Sequence, residues 1–321
     1  MDNAASPAAA SGYADPPRRM GFFTDTSVCI GCKACEVACK EWNGVPDDGF
    51  NLLGMSYDNT GGLSANSWRA VAFIEQPAPP KAPDGGAGDL RWLMMSNVCK
   101  HCTHAACLDV CPTGALFRTE FSTVVVQEDI CNGCGYCIPA CPYGVIDQRE
   151  GDGRAWKCTM CYDRIGDGLT PACAKACPTQ SIQFGKVDDL RTVAAKRLDA
   201  VKTGGAPNAQ LYGADDSVYG GLNAFFLLMD KPETYALPNA ANSVLPARNN
   251  LFGYLGTLLT AGVAVIAGLI ALRRRTEPPP PPVREAEPVA AAPVAATPAE
   301  APGQRAHPRA RGSGPRRGRK S

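Results

Sequence analysis

The longest apolar pattern lies late in the chain. Residues 251–272 (LFGYLGTLLTAGVAVIAGLIAL) carry no charge. As a helix they would span about 33 Å, enough to cross the hydrocarbon core of a bilayer. Gly256, Thr260, Ala264 and Gly268 recur every four residues on one face, and such a small-residue stripe suits close packing on another helix. Phe252 and Tyr254 would sit at one interface. The run holds no His or Met, so this helix cannot itself ligate a haem. Shorter patterns precede it. Asp188–Lys202 (DDLRTVAAKRLDAVK) reads as an amphipathic helix with Val193, Leu198 and Val201 on its apolar face. Leu116-Phe117-Arg118 and Thr123-Val124-Val125-Val126 predict a small hairpin. Gly220–Met229 reads as a strand or loop pairing against a partner.

Composition divides the rest. Residues 1–19 are rich in Ala, Pro and Ser and read as disordered. Residues 273–321 form a basic Pro/Ala/Arg-rich tail without the makings of a core. Beyond Leu272 that tail holds eleven Lys or Arg against four Asp or Glu. By the positive-inside rule it is cytoplasmic and the remainder of the chain extracytoplasmic, making a single-pass protein of the cell membrane. Near the N-terminus there is no secretory apolar stretch, and Arg18-Arg19 is followed by none. The formal net charge of +1 argues against nucleic acid as a partner. The run Asp84-Gly85-Gly86-Ala87-Gly88 lacks the Lys-Ser or Lys-Thr of a phosphate-binding loop and reads as a surface loop.

The chemistry is carried by cysteine. All sixteen lie between Cys29 and Cys177, in four groups. The first is Cys29, Cys32, Cys35, Cys39; the second Cys99, Cys102, Cys107, Cys111; the third Cys131, Cys134, Cys137, Cys141; the fourth Cys158, Cys161, Cys173, Cys177. Three closely spaced cysteines on one curling loop can reach three corners of an iron–sulfur cube. The fourth, a helical turn further on, runs away from that cube, and in two-cluster ferredoxins it ligates the other cluster. Pro112, Pro142 and Pro178 follow the last cysteine of three groups and turn the chain away, whereas Cys39 is followed by Lys40. Cys111-Pro-Thr-Gly-Ala-Leu, Cys141-Pro-Tyr-Gly-Val-Ile and Cys177-Pro-Thr-Gln-Ser-Ile form an internal repeat. A disulfide scaffold belongs to small secreted domains and would not confine its cysteines this way. The fourth group, two pairs with eleven residues between them, also has zinc-ribbon spacing.

Lys157, before Cys158, is a candidate cofactor-binding residue, because a cation near a cluster favours the reduced, more negative state. Lys33 and Lys100 lie inside groups and share that reading, set against a merely solvated lysine. Four thiolates fill the second site, so His101 and His104 are expected to donate hydrogen bonds to sulfur rather than to ligate. With every iron fully thiolate-bound, and no Ser/His/Asp set or nucleotide fingerprint, the chain reads as a non-catalytic one-electron relay.

The stretch from Met20 to Asn43, with Cys29-Ile-Gly-Cys-Lys-Ala-Cys-Glu-Val-Ala-Cys-Lys-Glu-Trp-Asn43, resembles the iron–sulfur (beta) subunits of membrane-bound respiratory formate dehydrogenases. Cys107-Leu-Asp-Val-Cys-Pro112 and Trp156-Lys-Cys-Thr-Met-Cys-Tyr-Asp163 carry the same likeness, which covers residues 20–272. With it the chain reads as an α+β fold: two ferredoxin-like modules over residues 20–185, each with two 4Fe–4S clusters, then an extension over 186–248 contacting partner subunits and one C-terminal transmembrane helix; the disordered tail lies outside the likeness. The likeness implies a catalytic molybdenum- or tungsten-pterin alpha subunit that oxidises formate, four clusters in a line, and a membrane cytochrome b gamma subunit that passes electrons to quinone, a branch of anaerobic respiration. It pairs the first group with the fourth and the second with the third. Cys29, Cys32, Cys35 and Cys177 then hold one cluster, and Cys158, Cys161, Cys173 and Cys39 the next. Cys99, Cys102, Cys107 and Cys141 hold a third; Cys131, Cys134, Cys137 and Cys111 the fourth. Export would rely on the catalytic partner's signal. The competing readings are the same wire in a nickel–iron hydrogenase or another molybdopterin oxidoreductase, and a structural zinc or disulfide tether without redox work.

Overall fold

In the computed structural model, which describes residues 6–49, 54, 57–77, 90–239 and 251–276, the first strand is β1 (Met20–Asp25). Its alternation sorts two cores. Phe22 packs with Trp68, Val71, Val98 and several cysteines, while Phe23 stacks on Phe225 at 5.5 Å and packs with Leu190 and Ala194. A helix, α1 (Ala34–Asn43), follows and stops at Gly44, whose left-handed backbone returns its N–H to the Lys40 carbonyl. Strands β2 (Arg69–Pro77) and β3 (Leu90–Val98) form a long antiparallel hairpin, with Arg69 opposite Val98.

Short elements then alternate with the cysteine loops: α2 (Ala106–Asp109), β4 (Leu116–Arg118), β5 (Val124–Val126), α3 (Cys137–Ala140), β6 (Asp147–Gln148), β7 (Ala155–Trp156), α4 (Tyr162–Gly166) and α5 (Ala172–Lys175). The hairpin expected over 116–126 is β4–β5, in register Leu116 to Val126. After β8 (Ile182–Lys186) comes α6 (Val187–Thr203), then β9 (Gln210–Tyr212) and β10 (Ala224–Leu228). The main sheet runs β8-β1-β10-β9, with β1 parallel to β10 and its other pairings antiparallel.

Three expectations change. Residues 186–239 are no separate extension, because α6, β9 and β10 belong to the same compact unit as the cysteine loops and complete their sheet. The Gly220–Met229 segment contains β10, wholly buried and paired with β1 and β9 of its own chain instead of a partner. Within residues 1–19, positions 6–19 are structured. Ala9–Ser11 is a turn of 3₁₀ helix, Ala8 is buried, and Arg19 donates to Asn223 Oδ1 at 2.5 Å and Thr103 Oγ1 at 2.9 Å. Helix α6 itself is as expected, with Asp188 and Asp189 in its first turn and Lys202 in its last, matching the helix dipole. Its buried face is Val187, Leu190, Ala194 and Val201; Val193 is 43% exposed.

The segment from Asn250 onward is a second unit. Its helix, α7 (Leu251–Thr276), exposes Leu255, Leu258, Leu259, Val263, Val265, Ile266, Leu269 and Ile270. Thr257 and Thr260 return their hydroxyls to the carbonyls of Gly253 and Thr257, so neither needs an outside partner. Residues 253–274 are long and apolar enough to cross a membrane. The Asp84–Gly88 loop and residues 277–321 lie outside the described residues.

Candidate metal centres

Each cysteine loop is bent by the same local device. In the first Cys-x-x-Cys of each group, the residue before the second cysteine is left-handed: Gly31 (φ 66°), His101 (φ 45°), Gly133 (φ 71°) and Met160 (φ 60°). The bend aims main-chain N–H groups at sulfur, as Met160 N–H donates to Cys158 Sγ at 3.2 Å. Glycine is required twice. A Cβ on Gly31 would meet the Phe73 ring at 2.6 Å, and one on Gly133 the Gly153 carbonyl at 2.4 Å. His101 and Met160 hold the same strained backbone at buried positions.

A second device follows the last cysteine. The N–H groups of Gly114, Gly144 and Gln180 return to the carbonyls of Cys111, Cys141 and Cys177, each from a left-handed residue. The proline after each cysteine enters that turn. Cys39 differs because α1 continues through it to Asn43, which leaves no turn for a proline to make.

These devices regroup the cysteines. Cys29, Cys32, Cys35 and Cys177 line one space of about 300 Å³ (site I). Cys99, Cys102, Cys107 and Cys141 line another of about 400 Å³ (site III). Cys111, Cys131, Cys134 and Cys137 line a third of about 310 Å³ (site IV). The remaining four, Cys39, Cys158, Cys161 and Cys173, are all buried and mutually close (site II). Asn43 Nδ2 spans site II, 3.7 Å from Cys39 Sγ and 3.8 Å from Cys161 Sγ. Among the described residues, no three His, Cys, Asp or Glu side chains draw together tightly enough to hold a single metal ion.

The electrostatics favour a cationic occupant. Burial, with Arg69 opposing it, pushes Cys35 up to about 11 and, joined by neighbouring thiols, pushes Cys107 and Cys158 up to about 12. Burial also raises Cys39 and Cys102 well above the usual thiol range, with sulfurs of their own sites adding to it. Thiols raised in this way are poor thiolates until a metal displaces their protons. At Cys111, burial is outweighed by the N–H donors of Leu116, Thr113 and Ala115 and the Thr113 hydroxyl, so its pKa is lowered. The residues therefore fit a sulfur-ligated iron cluster at each site.

The same interactions order the sites. Cys173 of site II adds to the rise at Cys35 of site I, Cys99 of site III to that at Cys158 of site II, and Cys137 of site IV to that at Cys107 of site III. Sites I and II, II and III, and III and IV are therefore neighbours. The two exposed cysteines, Cys32 and Cys134, belong to sites I and IV.

Lys157, His101, His104 and Lys100 all line site III. The Lys157 ammonium is buried and donates to the carbonyls of Val124 and Cys158. Lys100, also buried, donates to Asn97 and the Val98 carbonyl beneath the rings of Tyr143 and Phe226, and burial lowers its pKa to about 8. The Val124 N–H donates to His101 Nδ1, which leaves the proton on Nε2, a buried atom without a partner among the described residues. Lys33 is held by Asp58 at 2.6 Å and Glu36 at 3.2 Å, and is thereby neutralised.

Sequence reasoning missed Arg69, Ser96, Glu36 and Asn43. Glu36 is buried on α1 and accepts from the Val71 N–H at 2.5 Å, tying the first cysteine loop to β2. Arg69 is buried next to Cys35, Cys39, Cys158 and Cys173; burial alone would lower its pKa, but those sulfurs raise it. Arg69 and Ser96 act from β2 and β3, which hold no ligand of the sites they touch, and Glu36 and Asn43, though inside the Cys29–Asn43 run, stand among cysteines that carry its signal.

Comparison with known proteins adds the family context. A 4Fe-4S dicluster domain profile matches residues 90–187, and a second 4Fe-4S dicluster profile matches residues 28–115. The formate dehydrogenase-O iron-sulfur subunit of Escherichia coli (strain K12) is 39% identical over 236 residues, covering 71% of this chain and 75% of that protein. The nitrate-inducible formate dehydrogenase iron-sulfur subunit of the same organism is 38% identical over 252 residues, 77% of this chain and 81% of the other. The B subunit of its anaerobic dimethyl sulfoxide reductase is 38% identical over 175 residues, 53% of this chain and 75% of the other.

Proposed function

The protein belongs to the family of formate dehydrogenase iron–sulfur subunits, and on that premise we propose that it relays electrons through four 4Fe–4S clusters from a formate-oxidising subunit to a membrane acceptor. The observation that carries the reading is the regrouping of sixteen cysteines into four sets of four, with the last cysteine of each sequence group exchanged between paired groups. When bound, each cluster supplies a one-electron redox couple. Cys29, Cys32, Cys35 and Cys177 hold the first; Cys39, Cys158, Cys161 and Cys173 the second; Cys99, Cys102, Cys107 and Cys141 the third; Cys111, Cys131, Cys134 and Cys137 the fourth.

The protein's own residues hold these groups apart from water and close to one another. The four cysteines of site II, Cys39 on α1, Cys161 at the start of α4, Cys173 on α5 and Cys158, are all buried. Sites I and IV end the line, each with one exposed cysteine. Ile30 stands exposed beside site I, and Ile130 and Tyr136 beside site IV. Donor and acceptor proteins therefore meet opposite ends of the wire. The donor is a molybdenum- or tungsten-pterin subunit, and the acceptor a cytochrome b that reduces quinone. Lys157 tunes the third cluster through its buried charge. Helix α7 anchors the protein in the membrane, with the basic tail in the cytoplasm and the cluster unit outside.

Purification of the complex through this subunit from detergent-solubilised membranes tests the reading. Molybdenum or tungsten with excess iron, and formate-driven quinone reduction, are expected. Nickel would move the wire to a hydrogenase. The likeness to the dimethyl sulfoxide reductase subunit supports a second reading, a wire for another molybdopterin oxidoreductase; molybdenum without formate oxidation would favour it.

A further inference from the structure

Arg69 opens β2 and is only 2% exposed. Its Nη1 donates to Ser96 Oγ at 2.9 Å, and its guanidinium carbon lies 5.0 Å from the centre of the Phe22 ring. The Nε and Nη2 atoms are buried and have no hydrogen-bond partner among the described residues. Among the described residues no carboxylate pairs with it. The anionic groups that face it are sulfurs: Cys35 of site I, and Cys39, Cys158 and Cys173 of site II. Ser96, which anchors Nη1, also lies 3.2 Å from Cys35 Sγ. The neighbouring cations differ. Lys100 and Lys157 spend their protons on carbonyl and amide oxygens, and Lys33 on two carboxylates.

A buried guanidinium without a carboxylate is costly unless another anion balances it. A four-thiolate cluster is such an anion. It gains one further negative charge on accepting one electron from a neighbouring redox centre, and no protein bond is made or broken. We propose that Arg69 is the shared counter-cation of sites I and II, and that its charge and its two unpartnered N–H groups stabilise the reduced form of the clusters held there. This inference rests on the reading that both sites carry 4Fe–4S clusters. In a dry interior the charge acts more strongly than it would in water. Arginine stays protonated throughout the physiological range, so the effect is constant with pH. The residue thus makes sites I and II easier to reduce as a pair.

The test is a redox titration of the intact native complex followed by electron paramagnetic resonance. Arg69→Met should move two of the four cluster potentials to lower values, well outside titration error, with smaller changes at the other two. Arg69→Lys, which keeps the charge but not the planar fork, should recover most of that shift. Equal movement of all four potentials, or none while iron content is unchanged, would overturn the proposal. A second measurement needs no variant. Wild-type complex labelled with ¹⁵N-arginine should show a weak nitrogen coupling to the reduced cluster of site I or II in spin-echo spectra, and its absence would overturn the direct contact. A wild-type complex with no reducible clusters sinks the functional reading first. Four reducible clusters that ignore Arg69 sink this inference alone.

Discussion

Cys137 and Cys141 lie one helical turn apart at α3, yet they line different cavities. Cys141 faces Cys99, Cys102 and Cys107; Cys137 faces Cys111, Cys131 and Cys134. Two substitutions in the same sequence group should therefore remove different clusters. Cys141→Ala takes one of four ligands from site III and none from site IV, so about a quarter of the bound iron is lost. Cys137→Ala should lose a similar share from site IV. Because site III stands between sites II and IV, Cys141→Ala also opens the wire in its middle. Formate-driven quinone reduction should fall to background, while formate oxidation with an artificial acceptor at the catalytic subunit persists. Iron analysis and low-temperature electron paramagnetic resonance of both variants provide the assay. If both remove the same signal, or if Cys141→Ala removes the site IV signal, the exchanged ligand sets are wrong.

Three further outcomes are expected. Gly133→Ala should cost about 1–3 kcal/mol and weaken site IV selectively, because its left-handed backbone and the nearby Gly153 carbonyl leave no room for a Cβ; Gly166→Ala, with open space around it, should leave iron content and thermal stability unchanged. Leu190→Ala should destabilise the cluster unit by about 2–5 kcal/mol in denaturant titration, whereas Val193→Ala on the exposed side of α6 should change stability by less than about 0.5 kcal/mol. A protein ending at Asn249 should stay soluble without detergent and keep its full iron complement, because the residues before it form their own compact unit; loss of iron on truncation would count against that independence.

What could be read before the structure was what depends on local spacing. The four cysteine groups, the hairpin over 116–126, the helix over 188–202 and the late apolar helix all follow from patterns confined to a few residues. Non-local pairings were hidden. Strand β10 lies beside β1 although about two hundred residues separate them, and nothing in Ala224–Leu228 announces a parallel partner so far away in sequence. Ala- and Pro-rich composition disguised the N-terminal segment, where Ala8 is buried and Arg19 is bonded to Asn223. The bends at His101, Met160 and Gln180 were masked because glycine, the usual sign of a left-handed turn, is absent there. Arg69 was invisible for a different reason. A charged residue at the start of a strand reads as solvated, and only the fold places it between two groups of sulfurs.

The central claim is that this protein is a four-cluster wire fed by formate. The most direct test is to reduce the purified native complex with formate alone, count reducible clusters by electron paramagnetic resonance, and measure iron and acid-labile sulfide per subunit. The account predicts four reducible cluster signals, with iron and sulfide in equal amounts. Zinc in place of iron, or clusters that dithionite reduces but formate does not, would contradict it.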